Sequence, residues 1–347
     1  MIYGHGDDLY QYGDQVKMNF SSNIFTHANL SQLKMYLAMR LDIIGNYPEP
    51  EPITLERLLA EQLGLQPQQV MVTAGATEAI YLIAELYRGW ASVIPQPTFS
   101  EYEDACKKND HIVSYFDNDA MEHLPEQRLY WLCNPNNPTG NVMVKGLVSY
   151  VVRHHPQYIY VVDQSYENFT HKAVLKPHEM TDCHNLLILH SMTKRYCVPG
   201  LRLGFVTGSP VILDRLRQLR QPWSVNAVAL EAGSFIVETG FEPIADREAY
   251  LKEAVNLQTK LAALDGLTVM DSYTNFMLCR IEKAPARQLK QWLLENHGIL
   301  IRDASNFHGL DDHHFRVAAQ KHSENEALVA AIEEFLSGKS RHFTKYW

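Results

Sequence analysis

Residues 190–205 of this chain read HSMTKRYCVPGLRLGF, and this stretch decides the predicted fold and chemistry. An apolar run at 186–189 leads into the hydroxyls of Ser191 and Thr193 and then Lys194, and Arg202 follows eight residues later. A lysine amine can form a Schiff base with a carbonyl group. Hydroxyl and guanidinium groups bind phosphate through hydrogen bonds and charge. The stretch therefore predicts a site for a phosphorylated aldehyde cofactor.

The spacing of Ser191 and Lys194 also fits a serine acylase of the β-lactamase kind, in which the serine attacks and the lysine helps to activate it. Such an enzyme needs a Lys-Thr-Gly sequence later in the chain. The nearest match is Val206-Thr207-Gly208, which lacks the lysine. We therefore favour the cofactor interpretation.

The composition argues for a globular protein with a large core. The chain has 347 residues, of which 46% are hydrophobic, enough for one large domain and a smaller one. Its net charge of −9 and the absence of a long basic run argue against a nucleic-acid partner. The sequence has no apolar signal region and no run of 18 apolar residues, so we expect a cytoplasmic protein without a membrane partner.

The cysteines and histidines predict neither disulfides nor a metal. The five cysteines have no CxxC pairing, which is typical of reduced, mostly buried thiols in a cytosolic protein. Sixteen histidines are present, but the spacing of His308, His313, His314 and His322 matches no zinc site.

The pattern along the chain predicts an α/β fold. Residues 1–28 look like an irregular N-terminal arm. Short apolar runs recur between 92 and 207, several of them separated by helix-length segments, and this alternation favours a mainly parallel, doubly wound sheet. The composition changes near Gly240, so we assign 29–239 to a large domain and 240–347 to a smaller α+β domain.

The elements predicted for the smaller domain include a long helix near its start and a helix at its end. We expect a long polar helix at 243–264. We expect a final helix that starts at Ser323, with Glu326 completing a capping box.

Further motifs also follow strand-like runs. Residues 75–78 read GATE, 134–140 read NPNNPTG, and Asp163 is followed three residues later by Tyr166. Ligands of doubly wound sheets bind at the carboxyl ends of strands, so one crevice could collect these groups. Together with the lysine stretch, the ordered set resembles the fold-type-I pyridoxal-phosphate (PLP) enzymes of the class I/II aminotransferase superfamily. The resemblance covers nearly the whole chain and implies PLP as the cofactor.

The resemblance implies roles around the cofactor ring. Lys194 would hold the PLP aldehyde and later move protons. Asp163 would keep the pyridine nitrogen protonated, so that the ring can accept electrons from the substrate Cα. Asn137 and Tyr166 would hydrogen-bond the ring hydroxyl, and Phe99 would stack on the ring face.

The resemblance also implies a phosphate site made of hydroxyls, a guanidinium and the start of a helix. Its residues would be Gly75, Ala76, Thr77, Ser191, Thr193 and Arg202. Tyr47, in the Tyr47-Pro48 element, would reach the PLP phosphate of a neighbouring subunit, which implies a homodimer. One departure is Gln164, because the family usually has glutamate after the aspartate. That glutamate is not the pyridine partner, so the cofactor prediction stands.

Within the superfamily the chain resembles the threonine-phosphate decarboxylases of cobalamin synthesis. The supporting segments are HGD at 5–7, NFSSN at 19–23, QPWSVN at 221–226 and GILIRDASNF at 298–307. Histidinol-phosphate aminotransferases are similar too. They share Tyr47-Pro48, the PLP set and two late arginines, but they generally lack the RDxSNF run.

The resemblance implies a small phosphorylated amino acid or amine as substrate. Arg302 and Arg316 would bind its anionic groups, and His5 could add a donor. Decarboxylation and transamination differ in which Cα bond stands perpendicular to the PLP ring, and the sequence leaves that torsion open. We place threonine-phosphate decarboxylase first and histidinol-phosphate aminotransferase, or a related aminotransferase, as the alternative. A regulator without enzymatic activity is a remote third, since it would have no use for the lysine, aspartate and arginine set.

Overall fold

The structure is a computed structural model, and it describes residues 9–115 and 126–338. These residues form two compact units. Of the described residues, the first unit holds those in 28–137 and 141–245, and the second holds 9–27, 138–140 and 246–338.

Strands are numbered in chain order through both units. The described strands are β1 (Met18–Asn19), β2 (Val70–Thr73), β3 (Ala91–Ile94), β4 (Ile112–Tyr115), β5 (Arg128–Cys133), β6 (Ile159–Asp163), β7 (Leu186–Ser191), β8 (Gly204–Gly208), β9 (Leu267–Val269), β10 (Phe276–Ile281), β11 (Ile299–Leu300), β12 (Arg302–Asp303) and β13 (His314–Ala318).

Helices are numbered in the same way. The described α-helices are α1 (Leu9–Tyr12), α2 (Ser31–Ala38), α3 (Ile53–Leu63), α4 (Gly75–Leu86), α5 (Glu101–Lys108), α6 (Lys145–His154), α7 (Met192–Arg195), α8 (Pro210–Leu219), α9 (Ala227–Thr239), α10 (Arg247–Ala262), α11 (Ala286–His297) and α12 (His322–Ser337). Among residues 9–115 and 126–338, none of the helices is both long and apolar enough to cross a membrane.

The first unit is built on one sheet. Within the described residues, its strand order is β2-β8-β7-β6-β5-β3-β4. The pairs from β7 to β4 are parallel, whereas β8 runs antiparallel to both of its neighbours. The predicted α/β fold with a mainly parallel sheet is confirmed. The antiparallel direction of β8 has a simple cause. The link from β7 to β8 contains only short helices, and a parallel return needs a crossover that is usually a full helix.

Both faces of this sheet are buried, because side chains alternate along each strand. Leu187 of β7 packs on one face with Ile80 of α4. Ile188, the next residue, packs on the opposite face with Val148 of α6. A continuous apolar run such as 186–189 is therefore what a central strand of this sheet requires.

A buried charge cluster covers the outer edge of β2. The Glu56 Oε1 atom accepts a hydrogen bond from Val72 N at 3.0 Å. Arg220 Nη1 donates to Val72 O at 2.7 Å, and Arg217 Nη2 donates to Val70 O at 2.6 Å. Both guanidiniums also lie 3.4 Å from the Glu56 carboxylate. Ionised side chains thus satisfy backbone groups at an edge that would otherwise lack partners.

The second unit contains two small sheets. Within the described residues, β12-β13-β10-β9 form an antiparallel sheet, and β1 pairs in parallel with β11. The chain continues beside these strands, since Phe20 N donates to Leu300 O at 2.8 Å and Ala318 N donates to Phe20 O at 2.9 Å. The expectation of an irregular arm therefore missed β1. Its strand partner is distant in the sequence and leaves no local signal.

The bounds predicted for the first and the last helix of the smaller domain need correction. The helix expected at 243–264 is shorter, Arg247–Ala262, because the Asp246 side chain caps it by accepting a hydrogen bond from Ala249 N at 2.8 Å. The final helix starts at His322 rather than Ser323, with Lys321 at the N-cap and no side-chain cap. Glu326 does not complete a capping box; it pairs with Lys260.

We expect the β2 edge cluster to stabilise the first unit. Glu56→Ala would leave two guanidiniums and the Val72 N–H in a buried place without their carboxylate. Breaking a buried ion pair in this way costs about 3–5 kcal/mol. The urea midpoint of unfolding should fall accordingly. Glu61→Ala, on the exposed side of the same helix, is the control and should change stability by less than about 0.5 kcal/mol. Equal midpoints for the two variants would contradict the role of the cluster.

Candidate active site

Three strand ends meet at one edge of the sheet in the first unit. Thr73 at the end of β2 and Ser191 at the end of β7 both pair with Gly204, the first residue of β8. Asp163 ends β6, the parallel neighbour of β7. Lys194 follows Ser191 in the one-turn helix α7. The residues predicted from the ends of β6 and β7 therefore lie at the same edge, where doubly wound sheets bind ligands.

Two glycines form a close contact at this edge. A Cβ on Gly204 would lie 2.8 Å from both Ala76 N and His190 O. A Cβ on Gly75, which has a φ of +81°, would lie 2.9 Å from Arg202 Nη2. Gly204 requires glycine because backbone atoms occupy the space that a side chain would take, and Gly75 requires it because its positive φ strains any other residue. The result is a cradle at the start of α4 with Arg202 beside it.

The helix start carries the groups expected of an anion site. Ala76 and Thr77 lie in the first turn of the 12-residue helix α4, where backbone N–H groups have no partner within the helix. The helix dipole adds partial positive charge there. Glu78 Oε2 accepts a hydrogen bond from Ala74 N at 2.6 Å, and Thr73 Oγ1 donates to Gly75 O at 2.9 Å. These two bonds fix the turn from β2 into the helix.

The loop after β7 folds back on itself beside this helix start. Ser191 immediately precedes α7, and Thr193 lies within it and is buried. Thr193 O accepts a hydrogen bond from Val198 N at 3.1 Å. Arg202 adopts a left-handed φ of +55°, and its Nη1 lies 3.4 Å from Pro199 O. Two hydroxyls and one guanidinium therefore come from a single short loop, as the sequence predicts.

Asp163 is held by a tyrosine that the sequence did not single out. The Asp163 side chain is buried, and its Oδ2 accepts a hydrogen bond from the Tyr102 hydroxyl at 2.7 Å. Its Oδ1 accepts from Ser165 N at 2.9 Å. Burial, and then the Asp163 charge, raise the pKa of Tyr102 well above its usual value, so this hydroxyl stays protonated and donates. The carboxylate is thus oriented through both of its oxygens.

The position of Tyr102 explains why it was missed. It lies in α5, three residues after Phe99, and its ring stacks on Trp131 with centroids 5.3 Å apart. From the sequence alone, a tyrosine in this helix reads as an ordinary core aromatic. The one available signal was its i,i+3 spacing from Phe99, which places both residues on the same side of the helix start.

Tyr166 and Lys194 lie close together above these strand ends. The Lys194 Nζ atom is 5.9 Å from the centroid of the buried Tyr166 ring. That distance falls within the range of cation–π attraction. Tyr166 follows β6 and Lys194 follows β7, so parallel neighbouring strands carry the two residues to the same place.

Asn137 and Phe99 lie in two loops that are bonded to each other. Asn136 Oδ1 accepts a hydrogen bond from Thr98 Oγ1 at 2.8 Å, and Asn136 Nδ2 donates to Pro97 O at 2.9 Å. This amide connects the loop after β3 with the loop after β5. Asn137, which is buried, and Phe99 are the neighbouring residues in these loops. Phe99 contacts the Tyr102 ring edge-on, with centroids 5.7 Å apart.

Tyr47 is placed differently from the rest of the predicted cofactor set. It lies on the surface of the first unit with 85% of its area exposed. Its ring lies against Trp223, with centroids 5.2 Å apart. The structure therefore places Tyr47 at the surface, apart from the loop contacts described above.

The two predicted substrate arginines are paired in the second unit. Arg302 of β12 is the register partner of Arg316 of β13, and both are buried. Arg302 donates to Asp303 O and to Asn306 Oδ1, each at 2.7 Å. Arg316 Nη2 donates to Ser21 O at 2.6 Å. His5 lies outside the described residues.

The first-unit arrangement fits a phosphorylated pyridine aldehyde. The start of α4 offers backbone N–H groups with Arg202 beside them, and a buried oriented carboxylate and a lysine lie at the adjoining strand ends. In the part of the chain that the structure describes, no group of three or more histidine, cysteine, aspartate or glutamate side chains could hold a metal ion.

Known proteins resemble this chain over most of its length. The threonine-phosphate decarboxylase of Porphyromonas gingivalis has a solved structure that matches 92% of this chain and 99% of its own, with 36% identity and a TM-score of 0.87. The threonine-phosphate decarboxylase of Salmonella typhimurium is 29% identical over 92% of each chain. The histidinol-phosphate aminotransferase of Caldicellulosiruptor saccharolyticus is 28% identical, covering 88% of this chain and 87% of its own.

The family model for aminotransferase class I and II matches residues 15–332. This match spans both compact units and includes the lysine loop, the glycine cradle and the two arginines. Enzymes of this family use PLP and share the fold-type-I architecture. With a match of this extent and an α/β sheet of this topology, the chain belongs to the class I and II aminotransferase family.

Proposed function

We propose that this chain is a PLP-dependent enzyme that decarboxylates L-threonine O-3-phosphate. The observation that carries the proposal is the first-unit cluster, in which Lys194, the buried Asp163 and the Gly75 cradle lie at adjoining strand ends. The similarity to threonine-phosphate decarboxylases supports the choice of substrate. Such a step would belong to cobalamin synthesis, which is also named for a Leptospira interrogans relative that is 25% identical over 96% of this chain.

Asp163 and Tyr102 would prepare the cofactor ring. Bound PLP supplies an electron sink for the negative charge that develops at the substrate Cα. The Asp163 carboxylate would hold a proton on the pyridine nitrogen, and Tyr102 would keep that carboxylate in one orientation. Asn137 and Tyr166 would donate hydrogen bonds to the ring oxygen, and Phe99 would limit movement of the ring face.

Lys194 would supply the proton that the substrate Cα needs after CO2 has left. When CO2 leaves the substrate, the electron pair of the broken bond remains at Cα, and a proton must arrive there. The Lys194 side chain, in its ammonium form, would donate that proton and become a neutral amine. Net consumption of one proton and release of CO2 convert the amino acid phosphate into an amino alcohol phosphate.

Arg302 and Arg316 would recognise the substrate's phosphate and carboxylate. Because they are register partners on β12 and β13, their two guanidinium groups come from adjacent positions of one sheet. Guanidinium groups suit such anions because they offer two parallel N–H donors in a fixed plane. His5 remains a further candidate for this end of the substrate.

We further propose a cytoplasmic homodimer. Tyr47 is exposed, as are the nearby apolar side chains of Met39, Leu41 and Ile44. Such a surface suits a second copy of this chain, whose PLP phosphate Tyr47 would reach. All five cysteines lie in the described ranges and are buried thiols outside any disulfide, which suits a reducing compartment.

The alternative is a histidinol-phosphate aminotransferase. Its support is the similarity to the Caldicellulosiruptor enzyme and the fact that both substrates carry an amine and a phosphate. The first-unit cluster serves either reaction, because each begins by weakening a bond at the substrate Cα.

One assay separates the two functions. Purified PLP-loaded chain should release CO2 from threonine phosphate, and it should turn over histidinol phosphate with 2-oxoglutarate poorly or not at all. Lys194→Ala is the control and should lose nearly all CO2 release. The reverse pattern, turnover of histidinol phosphate without CO2 from threonine phosphate, would establish the alternative. No turnover of either substrate by PLP-loaded chain would refute both.

Tyr102→Phe should weaken catalysis while preserving the fold. The substitution keeps the ring stacked on Trp131 but removes the O–H that orients Asp163. A hydrogen bond to a charged group is worth about 1.5–3 kcal/mol, so kcat should fall by about ten- to a hundredfold. Tyr130→Phe is the matched control, since Tyr130 is a buried tyrosine that stacks on Tyr160. Equal kcat in the two variants would show that the Tyr102 hydroxyl does not support Asp163.

Arg316→Lys should raise KM for threonine phosphate at least about tenfold and leave the dissociation constant of PLP unchanged. Lysine cannot reproduce the two parallel bonds of a guanidinium. Arg302→Lys should behave in the same way through the other anionic group. Arg280→Lys is the control, because Arg280 lies on β10 of the same sheet and pairs with Asp311. If the dissociation constant of PLP rises while KM for threonine phosphate is unchanged, the two arginines do not bind the substrate.

A further inference from the structure

We propose that Glu167 and His190 form a buried pair that positions Tyr166 and the Lys194 loop relative to each other. The inference rests on the proposed function, because its consequence concerns the cofactor. Neither residue is among those predicted to touch cofactor or substrate, so both are positioning residues.

The pair joins two loops at neighbouring strand ends. Glu167 directly follows Tyr166 after β6, and His190 directly precedes Ser191 at the end of β7. The His190 Nδ1 atom lies 2.8 Å from Glu167 Oε1, and the His190 side chain is 4% exposed. A single short bond thus connects the segment that carries Tyr166 with the segment that leads to Lys194.

His190 is itself fixed from the neighbouring strand. Its ring stacks on Phe205 of β8, with centroids 4.5 Å apart and planes 14° apart. Its Nε2 lies 3.3 Å from Thr207 Oγ1, also on β8. The ring therefore cannot turn away from Glu167 without losing contacts on β8. Through this pair, the Tyr166 loop after β6 is held in place by contacts with β7 and β8.

Gln164 also contacts the Glu167 carboxylate. Gln164 Nε2 donates to Leu175 O at 3.0 Å and lies 3.3 Å from Glu167 Oε2. The Gln164 amide thus supports the carboxylate at Glu167 in this chain.

The surrounding charges keep Glu167 ionised. Burial opposes the charge, but His190, Lys176 and Arg195 outweigh it and hold the pKa of Glu167 below its usual value. Lys176 Nζ lies 3.9 Å from Glu167 Oε2, and Arg195 is the residue after Lys194. Lys176 and Arg195 thus place cations near this carboxylate from the segment around Lys176 and from α7, and the His190 ring faces it from β7.

The test measures the pH midpoint at which the absorbance of protein-bound PLP changes. Tyr166 is proposed to donate to the ring oxygen, which favours the deprotonated form of the cofactor. Misplacing Tyr166 weakens that bond and raises the midpoint. Glu167→Ala and His190→Gln should each raise it by about one pH unit, a factor of about ten in proton affinity. The double variant should raise it no further, because either change breaks the same link.

The directions of the two midpoint shifts distinguish a positioning role from a purely electrostatic effect on the cofactor. If the two groups acted only as charges, removing the Glu167 anion would lower the midpoint and removing a His190 cation would raise it. His111→Gln is the matched control. His111 is also buried, with Nδ1 2.8 Å from Ser92 Oγ and Nε2 2.8 Å from Ala84 O. This variant should lose stability without moving the midpoint.

The outcomes divide clearly. Equal upward shifts that do not add support the inference. Shifts of opposite sign, additive shifts or unchanged midpoints overturn the inference. If the wild-type chain binds PLP in those cases, the proposed function is unaffected. If the wild-type chain binds no PLP, the proposed function fails, and the inference fails with it.

A second measurement needs no cofactor. Because the pKa of Glu167 is lowered in the folded chain, its stabilising contribution is complete above the unfolded carboxyl pKa of about 4.3 and disappears as the pH falls through the lowered value. The difference in urea midpoint between wild type and Glu167→Gln should therefore shrink as the pH falls from about 5 to below about 4. A difference that grows on acidification would contradict the pair.

Discussion

The contact between β8 and the start of α4 is the constraint on which the candidate site depends. Gly204 pairs with the last residues of β2 and β7, and its missing side chain allows Ala76 N and His190 O to approach. Any side chain there would push the helix start away from the lysine loop. The antiparallel direction of β8 follows from the same short link, which must turn back at once to supply Arg202 beside Gly75.

A second layer of polar contacts orients the residues at this edge. Tyr102 holds Asp163 from α5, and Glu167 and His190 link the loops after β6 and β7. Each contact uses an ionised group in a buried place, where an unpaired charge would be costly. The proposed chemistry therefore relies on side chains one step removed from the cofactor, which hold its partners in fixed orientations.

Local motifs made much of the fold and site predictable. Lys194 and Asp163 were predicted as site residues because each stands at the end of an apolar strand in a recognisable run, and the parallel pairing of β6 and β7 brings these two strand ends together. Tyr102 was not found, because its partner Asp163 is distant in the sequence and a helical tyrosine gives no sign of its hydroxyl's target. The strand β1 was missed for the same reason. Long-range pairing leaves no periodicity in the segment itself.

The central claim is that Lys194 is the residue that carries PLP. The most direct test is borohydride reduction of the PLP-loaded chain, followed by proteolysis and mass mapping of the modified peptide. The expected result is one PLP per chain, attached to the peptide that contains Lys194, with no labelling in Lys194→Ala. Labelling of another lysine, or equal labelling in the variant, would contradict the proposed site.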